Sequence, residues 1–437
     1  MWPYYPELLE TPVPRYTSFP TAAEFGDGVG AVDFAQVLEG TTGDVSLYVH
    51  IPFCEQICWY CGCNTSAANK RSRLESYLSA LHREIKLVGD RLPNAARITR
   101  IAFGGGSPNA IEPLDFVRLV DALTAHFGAA SPVISIELDP RTLGGEWLPV
   151  LRAIGVTNAS LGVQTFALRL QEAIGRVQPL ERIARVTDML REAGVTSLNY
   201  DLMYGLPGQT MGDLEDTLGH ADRLGADRIA LFGYAHVPHL IPRQRQIVAD
   251  DLPDQKVRFD MAARGHDLLA GEGYVPVGFD HFARPGDPIA KATAAGALHR
   301  NFQGFTDDAA PVLLGLGATA ISMFPELLVQ NEKNAGRYSM LLSQDRFTAN
   351  RGIRRSRDDR MRGDIIERLL CSGTARIEPE LLRETQPFLL PFMERGLVSL
   401  EDDVCTIASD GLPYTRTIAA QFDPYRKDSQ RRFSSAV

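Results

Sequence analysis

Cysteine is scarce in this chain, with six in 437 residues. A disulfide framework belongs to short secreted chains, so that reading is excluded. Lysine is scarcer than it should be: six of the 45 basic residues are lysines, so 39 are arginines. There is no basic excess. The net charge of −9 argues against a general nucleic-acid binder. No apolar run approaches the roughly 18 residues of a membrane helix, so no span is expected. The opening residues Met1-Trp-Pro-Tyr-Tyr-Pro6 lack a basic segment followed by an apolar one, so no secretory signal is read and the cytoplasm is expected. Internal repeats and low-complexity segments are also missing. What remains is an ordinary globular composition, 44% hydrophobic and 23% charged. The length predicts two or more domains, or one large domain with appendages.

Four of the six cysteines fall in one stretch, Cys54-Glu-Gln-Ile-Cys58-Trp-Tyr-Cys61-Gly-Cys63. Cys54, Cys58 and Cys61 have the spacing C-x3-C-x2-C. Thiolates are the usual protein ligands of iron–sulfur clusters, and one loop can wrap a cluster when its ligands lie this close. Three thiolates on a four-iron cube leave one iron open to a small molecule. Structural zinc would need four closed ligands, usually in two separated pairs. Here there is one clump, with no histidine inside it.

The run Val45–Phe53 is rich in β-forming residues and ends where the cysteines begin. With the loop after it, the stretch resembles the radical S-adenosylmethionine (SAM) superfamily. There the loop follows the first strand of a partial (β/α) barrel, and the open iron holds the methionine part of SAM. Leu47-Tyr-Val-His-Ile-Pro-Phe-Cys54 and the additional Cys63 are similar to one branch of it, the oxygen-independent coproporphyrinogen III oxidases. So is Pro14-Arg-Tyr-Thr-Ser-Phe-Pro-Thr21, which by itself reads as an extended coil.

From 45 to about 240, strands alternate with helices. Strands are expected at Val45–Phe53, Ile98–Gly105, Val133–Pro140, Asn158–Phe166, Leu198–Leu206 and Arg228–His236. Apolar helical periodicity separates them, as at Leu74–Val88, Pro113–Phe127, Leu180–Ala193 and Met211–Leu224. The alternation predicts a parallel sheet, open or barrel-like. The polar and glycine-rich residues cluster at the carboxyl ends of the strands, where barrel enzymes place their chemistry. The fold class expected is α/β, a partial (β/α)6 radical SAM barrel. An irregular N-terminal arm (1–44), a barrel with a substrate-binding extension (45–335) and a small, mostly helical, winged-helix-like cap (336–437) complete the expected division.

The resemblance implies roles residue by residue. Cys54, Cys58 and Cys61 would ligate a 4Fe–4S cluster, and Cys63 would not. Tyr48, Gly105, Glu137, Gln164, Arg176, Asp201 and Ala235 would contact one or other of two SAM molecules. Tyr60, Gly106 and Ser107 would lie near the second, and Ile321 would line the adenosine site. Two later patches, Gly278–Arg284 and Leu298–Thr306, suit a flat substrate bearing carboxylates. From these and the arm, Tyr48, Arg15, Asp280, His281 and Gln303 are the candidate catalytic residues. A lone Asp–His pair is more often a structural hydrogen bond, and a triple glycine more often a tight turn.

The implied activity is decarboxylation of two propionates of coproporphyrinogen III to vinyl groups by a 5′-deoxyadenosyl radical. The expected partners are that substrate and an unidentified electron donor and acceptor. The chain is expected to work as a monomer without nucleic acid. Two other readings stand beside it: a haem-binding chaperone, which would lack the arm Arg15–Thr21 and Cys63, and a radical SAM methyltransferase of haem breakdown. The arm is expected to add little to the core. Cys371 and Cys405 read as buried hydrophobes.

Overall fold

Proline and glycine punctuate the chain where its helices begin and end. Pro113 opens the helix Pro113–Phe127, whose Phe116, Leu119, Val120 and Leu123 face inward, and Gly128 at φ +62° closes it. Thr210 and Asp213 form a reciprocal capping box at the start of Met211–Arg223. The computed structural model describes residues 2–68 and 70–428. The strands of its main sheet are β1 (Gly43–Ile51), β2 (Ala96–Gly105), β3 (Val133–Leu138), β4 (Val156–Gln164), β5 (Ser197–Tyr204), β6 (Arg228–Gly233), β7 (Val275–Val277), β8 (His281–Ala283), β9 (Val312–Leu316), β10 (Ile321–Phe324), β11 (Leu327–Asn331) and β12 (Ala349–Arg354).

These twelve strands form one sheet in the order β12-β11-β10-β9-β1-β2-β3-β4-β5-β6-β8-β7. Neighbours from β9 and β1 through β6 pair in parallel. The flanking strands on both sides are antiparallel. The first six parallel strands are those expected from the sequence, each within a few residues of its expected ends. Helices cover the outer face, and the buried residues of Arg71–Gly89 repeat as Tyr77, Leu81, Ile85 and Val88. Leu47, Val49 and Ile51 are buried on one face of β1, and Ser46 and His50, also buried, point to the other, so the strand is covered on both faces. No helix among the described residues is long and apolar enough to cross a membrane.

Three expectations change. Residues 1–44 are not all irregular, because a helix spans Ala31–Glu39 between Gly30 and Gly40. The arm also adds to the core: Leu9, Val13, Tyr16 and Phe19 are buried. It is held by distant chain, with Tyr16 Oη donating to Asp423 Oδ2 at 2.9 Å and Gly26 N donating to Gly352 O at 2.9 Å. Third, the boundary expected at 335/336 cuts through the sheet extension. β12 lies beyond it yet is the edge strand of the main sheet. The C-terminal unit begins at the helix Arg357–Ser372, capped by Ser356. It continues with Pro379–Met393 and a separate three-stranded sheet of 374–376, 404–407 and 398–401. Residues 429–437 of the expected cap, and Met1, lie outside the described residues. Cys371 and Cys405 are buried as expected.

Candidate active site

β1 runs into the cysteine loop, and β2 ends against that loop. Gly106 N donates to Ile51 O at 2.8 Å and Ser107 N to Phe53 O at 2.7 Å. A side chain at Gly106 would stand 2.4 Å from the Phe53 carbonyl, and one at Gly105, φ +105°, 2.3 Å from the His50 ring. The glycines are therefore demanded by close approach of backbone and side chains. Their amides are not free, since Gly105 N donates to Glu137 Oε2 at 3.2 Å. The turn therefore offers no open amide at Gly105 or Gly106.

The thiols are free and share one neighbourhood. Ser107 Oγ contacts Cys54 Sγ at 3.6 Å. Arg176 Nη1 donates to Cys58 Sγ at 3.1 Å, and Arg141 Nη2 does so at 3.3 Å. Both arginines are also paired with Asp139. Burial lifts the Cys54 thiol to about 11. The neighbouring Cys63 thiol brings Cys61 down to about 6. Among the described residues no three His, Cys, Asp or Glu side chains converge as they would on a single ion. A cluster several atoms across takes thiolates that stand further apart. Three free thiols on one loop, one of them already gripped by two guanidinium groups, fit a cluster open at one corner.

Inside the barrel lies a lumen of about 320 Å³ lined by Glu137, Asp201, Phe232, His281, Gln303 and Phe305 among others. Glu137 is half-buried, and desolvation first, then Asp201, pushes its carboxyl up to about 7. Asp201 sits in mid-strand on β5 and accepts from Ser160 Oγ at 3.1 Å and Asn199 Nδ2 at 2.8 Å. Burial raises it as well. Tyr48 on β1 shares a hydrogen bond of 3.1 Å with His50 Nδ1. Across the sheet Tyr48 stands in register with Gly315, whose Cα side is closed by the Ile321 backbone. Gln164 ends β4 with φ +67°. Its amide and the Arg176 guanidinium both approach Gly162. Tyr60 and Ala235 are tied together, because Gln244 Nε2 donates to both carbonyls at 3.0 Å.

The patches beyond the barrel close the lumen. His281 Nδ1 meets Asp280 Oδ1 at 2.6 Å. Burial alone would raise the Asp280 carboxyl, but His281, Arg300 and Arg15 together hold it below the usual range. Arg15 does not line the lumen. Its guanidinium lies 4.9 Å over Phe232 and faces a second, smaller cavity with Asp280 and Ala235. Several residues given no role from sequence matter here: His50, Asp139, Arg141, Arg300 and Arg416. Asp139 and Arg141 carried a signal, an acid and a base two residues apart at a strand end, each expensive to bury alone.

A strand-borne loop of three thiols above a partly closed parallel barrel defines a radical SAM enzyme. The superfamily model for Radical SAM matches residues 48–221. Similarity then extends over nearly the whole chain. The chain is 40% identical to the oxygen-independent coproporphyrinogen III oxidase of Bradyrhizobium diazoefficiens, covering 98% of each. It is 37% identical to the enzyme of that name from Escherichia coli, covering 97% of this chain and 96% of that one. The solved structure of the Escherichia coli coproporphyrinogen III oxidase, described as a radical SAM enzyme, superposes with a TM-score of 0.90 at 35% identity, over 97% of this chain and 99% of that one. The chain belongs to the oxygen-independent coproporphyrinogen III oxidase family.

Proposed function

We infer that the protein catalyses the oxygen-independent oxidation of coproporphyrinogen III to protoporphyrinogen IX in haem biosynthesis. The observation that carries the reading is the loop Cys54–Cys61 set against the end of β2, above a lumen walled in part by His281, which is paired with Asp280. Its cofactors are a 4Fe–4S cluster and SAM. When bound, they supply a carbon-centred radical able to take a hydrogen atom from a propionate β-carbon, chemistry that no side chain here could perform. Loss of one further electron and of carbon dioxide then leaves a vinyl group, twice per substrate. The electron donor and acceptor are separate molecules.

The residues bind, hold and shield. Cys54, Cys58 and Cys61 hold the cluster, and Arg176 and Arg141 stabilise negative charge on the Cys58 sulfur. Tyr48, Gly105, Glu137, Gln164, Arg176, Asp201 and Ala235 contact SAM. Tyr60, Gly106 and Ser107 lie by a second SAM, and Ile321 lines the adenosine site. Since Gly105 N and Gly106 N are already donated elsewhere, these two glycines act by giving room. With its Nδ1 proton directed to Asp280, His281 offers Nε2 as an acceptor to a pyrrole N–H in the lumen. Gln303 lies in the same wall. The C-terminal unit and the buried arm cap this face and keep water from the radical. We place the protein in the cytoplasm, as a monomer.

The test is anaerobic turnover of coproporphyrinogen III with SAM and a one-electron reductant. Protoporphyrinogen IX, read after oxidation by absorbance, is expected together with methionine and 5′-deoxyadenosine. Tight haem binding without product would favour the chaperone, and a methylated tetrapyrrole the methyltransferase. Either would overturn the assignment.

A further inference from the structure

Arg141 reaches into the segment between the first two cysteines of the loop. Its Nη2 donates to Gln56 O at 2.9 Å and its Nη1 to Gln56 Oε1 at 3.3 Å. The same Nη2 donates to Cys58 Sγ at 3.3 Å. The side chain is 6% exposed and is itself held in place. Its Nε lies 3.0 and 3.1 Å from the two carboxylate oxygens of Asp139, and Nη2 donates to Oδ2 at 2.6 Å. Asp139 follows β3 and is held in turn by Asn109. Asp139 N donates to Asn109 Oδ1 at 2.9 Å, and Asn109 Nδ2 donates to Asp139 O at 3.1 Å. Arg182 clamps the same loop through Pro140 O and Leu143 O, both at 2.7 Å. Asn109 is buried in the turn after β2. The turn after β2 therefore fixes Asp139, Asp139 fixes Arg141, and Arg141 fixes the cysteine loop. The contacts to Gln56 and Asp139 hold whatever the thiols ligate.

Charge follows the same route. Arg176 also pairs with Asp139, Nη2 to Oδ1 at 3.4 Å, and donates to Cys58 Sγ. Burial alone would raise the Asp139 carboxyl, but Arg176 and Arg141 hold it below its ordinary range, so it is ionised. Two guanidinium groups and one carboxylate leave one net positive charge beside Cys58 Sγ. Glu55 bonds Thr142 and acts on the same group, but it is exposed and water screens it. Without Arg141, Asp139 and Arg176 remain as a neutral pair. A donor and a positive charge at a ligating sulfur favour the state that carries one more electron.

We propose that Arg141 is a positioning residue for the cluster: its fork sets the path of the loop between Cys54 and Cys58, and its charge raises the cluster's reduction potential. The proposal rests on the cluster assignment made above and adds to it the residue that ties the cluster to the strand ends. Lysine could supply the charge but not the fork that spans Gln56 and Asp139.

The test uses the full chain, reconstituted anaerobically, and reads the cluster rather than turnover. The midpoint potential is taken without SAM from a redox titration followed by electron paramagnetic resonance. Arg141→Gln is expected to make reduction about tenfold harder or more, which for one electron is a downward shift of about 59 mV. Arg141→Lys should lie nearer the wild-type potential. Cluster loss to an iron chelator, followed by visible absorbance, should be about 10–100-fold faster in both variants. Asn109→Ala, whose hydrogen bonds reach Asp139 and Thr142, should speed the loss in the same direction. Arg97→Gln removes an exposed arginine paired with Asp44 and should move neither quantity. Should Arg141→Gln fail to fold, Arg141→Lys and Asn109→Ala decide through chelation: both losing the cluster at the wild-type rate refutes the proposal. If Arg141→Gln folds and keeps both the wild-type potential and the wild-type rate of loss, the proposal is refuted while the cluster assignment stands. Faster loss at an unchanged potential refutes the effect of the charge and leaves the fork. If the wild type takes up no cluster, the assignment itself is what fails.

Discussion

Glu84 is a buried carboxylate with four donors, and replacing it by glutamine has a calculable, pH-dependent effect. Oε1 accepts from Asn331 Nδ2 at 2.9 Å and Thr348 Oγ1 at 3.1 Å. Oε2 accepts from Gly317 N at 2.6 Å and Tyr338 Oη at 2.7 Å. A glutamine must place an NH2 where one of these oxygens was. The Tyr338 or Thr348 hydroxyl can turn and accept from it. Gly317 N cannot. Turning the Asn331 amide would forfeit its donations to Gly315 O and Gly317 O at 3.3 and 3.0 Å. One buried N–H is thus left facing another, which costs about 1–3 kcal/mol.

Against this stands the burial of the charge. Burial, only partly offset by those four donors, lifts the Glu84 carboxyl from an ordinary 4.5 to about 7. The folded state then binds the proton more tightly than the unfolded chain, so stability falls as pH rises from 4.5 through 7. Two and a half units correspond to about 3 kcal/mol. Glutamine does not titrate. Glu84→Gln is therefore expected to be less stable than wild type by about 1–3 kcal/mol at pH 5 and level with it or better at pH 8. Guanidinium unfolding of both proteins at four pH values, followed by fluorescence, measures the difference with other titrations cancelled. A penalty that stays constant with pH, or grows as pH rises, refutes the reasoning. The consequence reaches the site, because Gly317–Thr319 backs β1: Thr319 Oγ1 lies 3.2 Å from His50 Nε2, and His50 bonds Tyr48.

Three further outcomes are expected. Replacing Cys54, Cys58 or Cys61 by alanine should abolish the cluster's visible absorbance after reconstitution, while Cys63→Ala keeps it; a Cys63→Ala protein unable to hold a cluster would overturn the ligand assignment. Tyr16→Phe should lower the denaturation midpoint by removing a buried hydrogen bond to Asp423, about 1–3 kcal/mol, and deleting residues 1–21 should prevent folding by exposing the sites of Leu9, Val13 and Phe19. A truncated protein that stays folded in a thermal-shift assay would show that the arm is a detachable lid after all.

What could be read from the sequence was whatever local chemistry decides. Pro113 with Gly128 and Pro179 with Gly194 bracket their helices, so those ends are legible to the residue. The cysteine spacing is local in the same sense. The short helix Leu168–Ala173 has too few turns for a period to emerge. β12 was lost because membership of a sheet depends on β11, not on its own residues. Glu84 did leave a trace. It sits among Tyr77, Leu81, Ile85 and Val88 on the inward stripe of its helix, one charged residue where only apolar ones belong. A charge in that place demands donors from elsewhere in the chain. The burial of the arm had no local trace, since its partners are Asp423 and Gly352.

The arginine excess is the instructive case. Guanidinium forks are suited to gripping the carboxylates of a substrate. In the fold many of these side chains hold backbone carbonyls of distant segments instead. Arg182 takes Pro140 O and Leu143 O, Arg300 takes Arg15 O and Tyr16 O, and Arg351 takes Phe25 O. A fork of five donors can clamp two carbonyls of a loop at once, and an ammonium group on a flexible stem fixes neither their angle nor their spacing. The arm and the strand-end loops have few ladder hydrogen bonds of their own, so they depend on such clamps. Composition does not say which loop an arginine will clamp, because the carbonyls that face it come from distant parts of the chain.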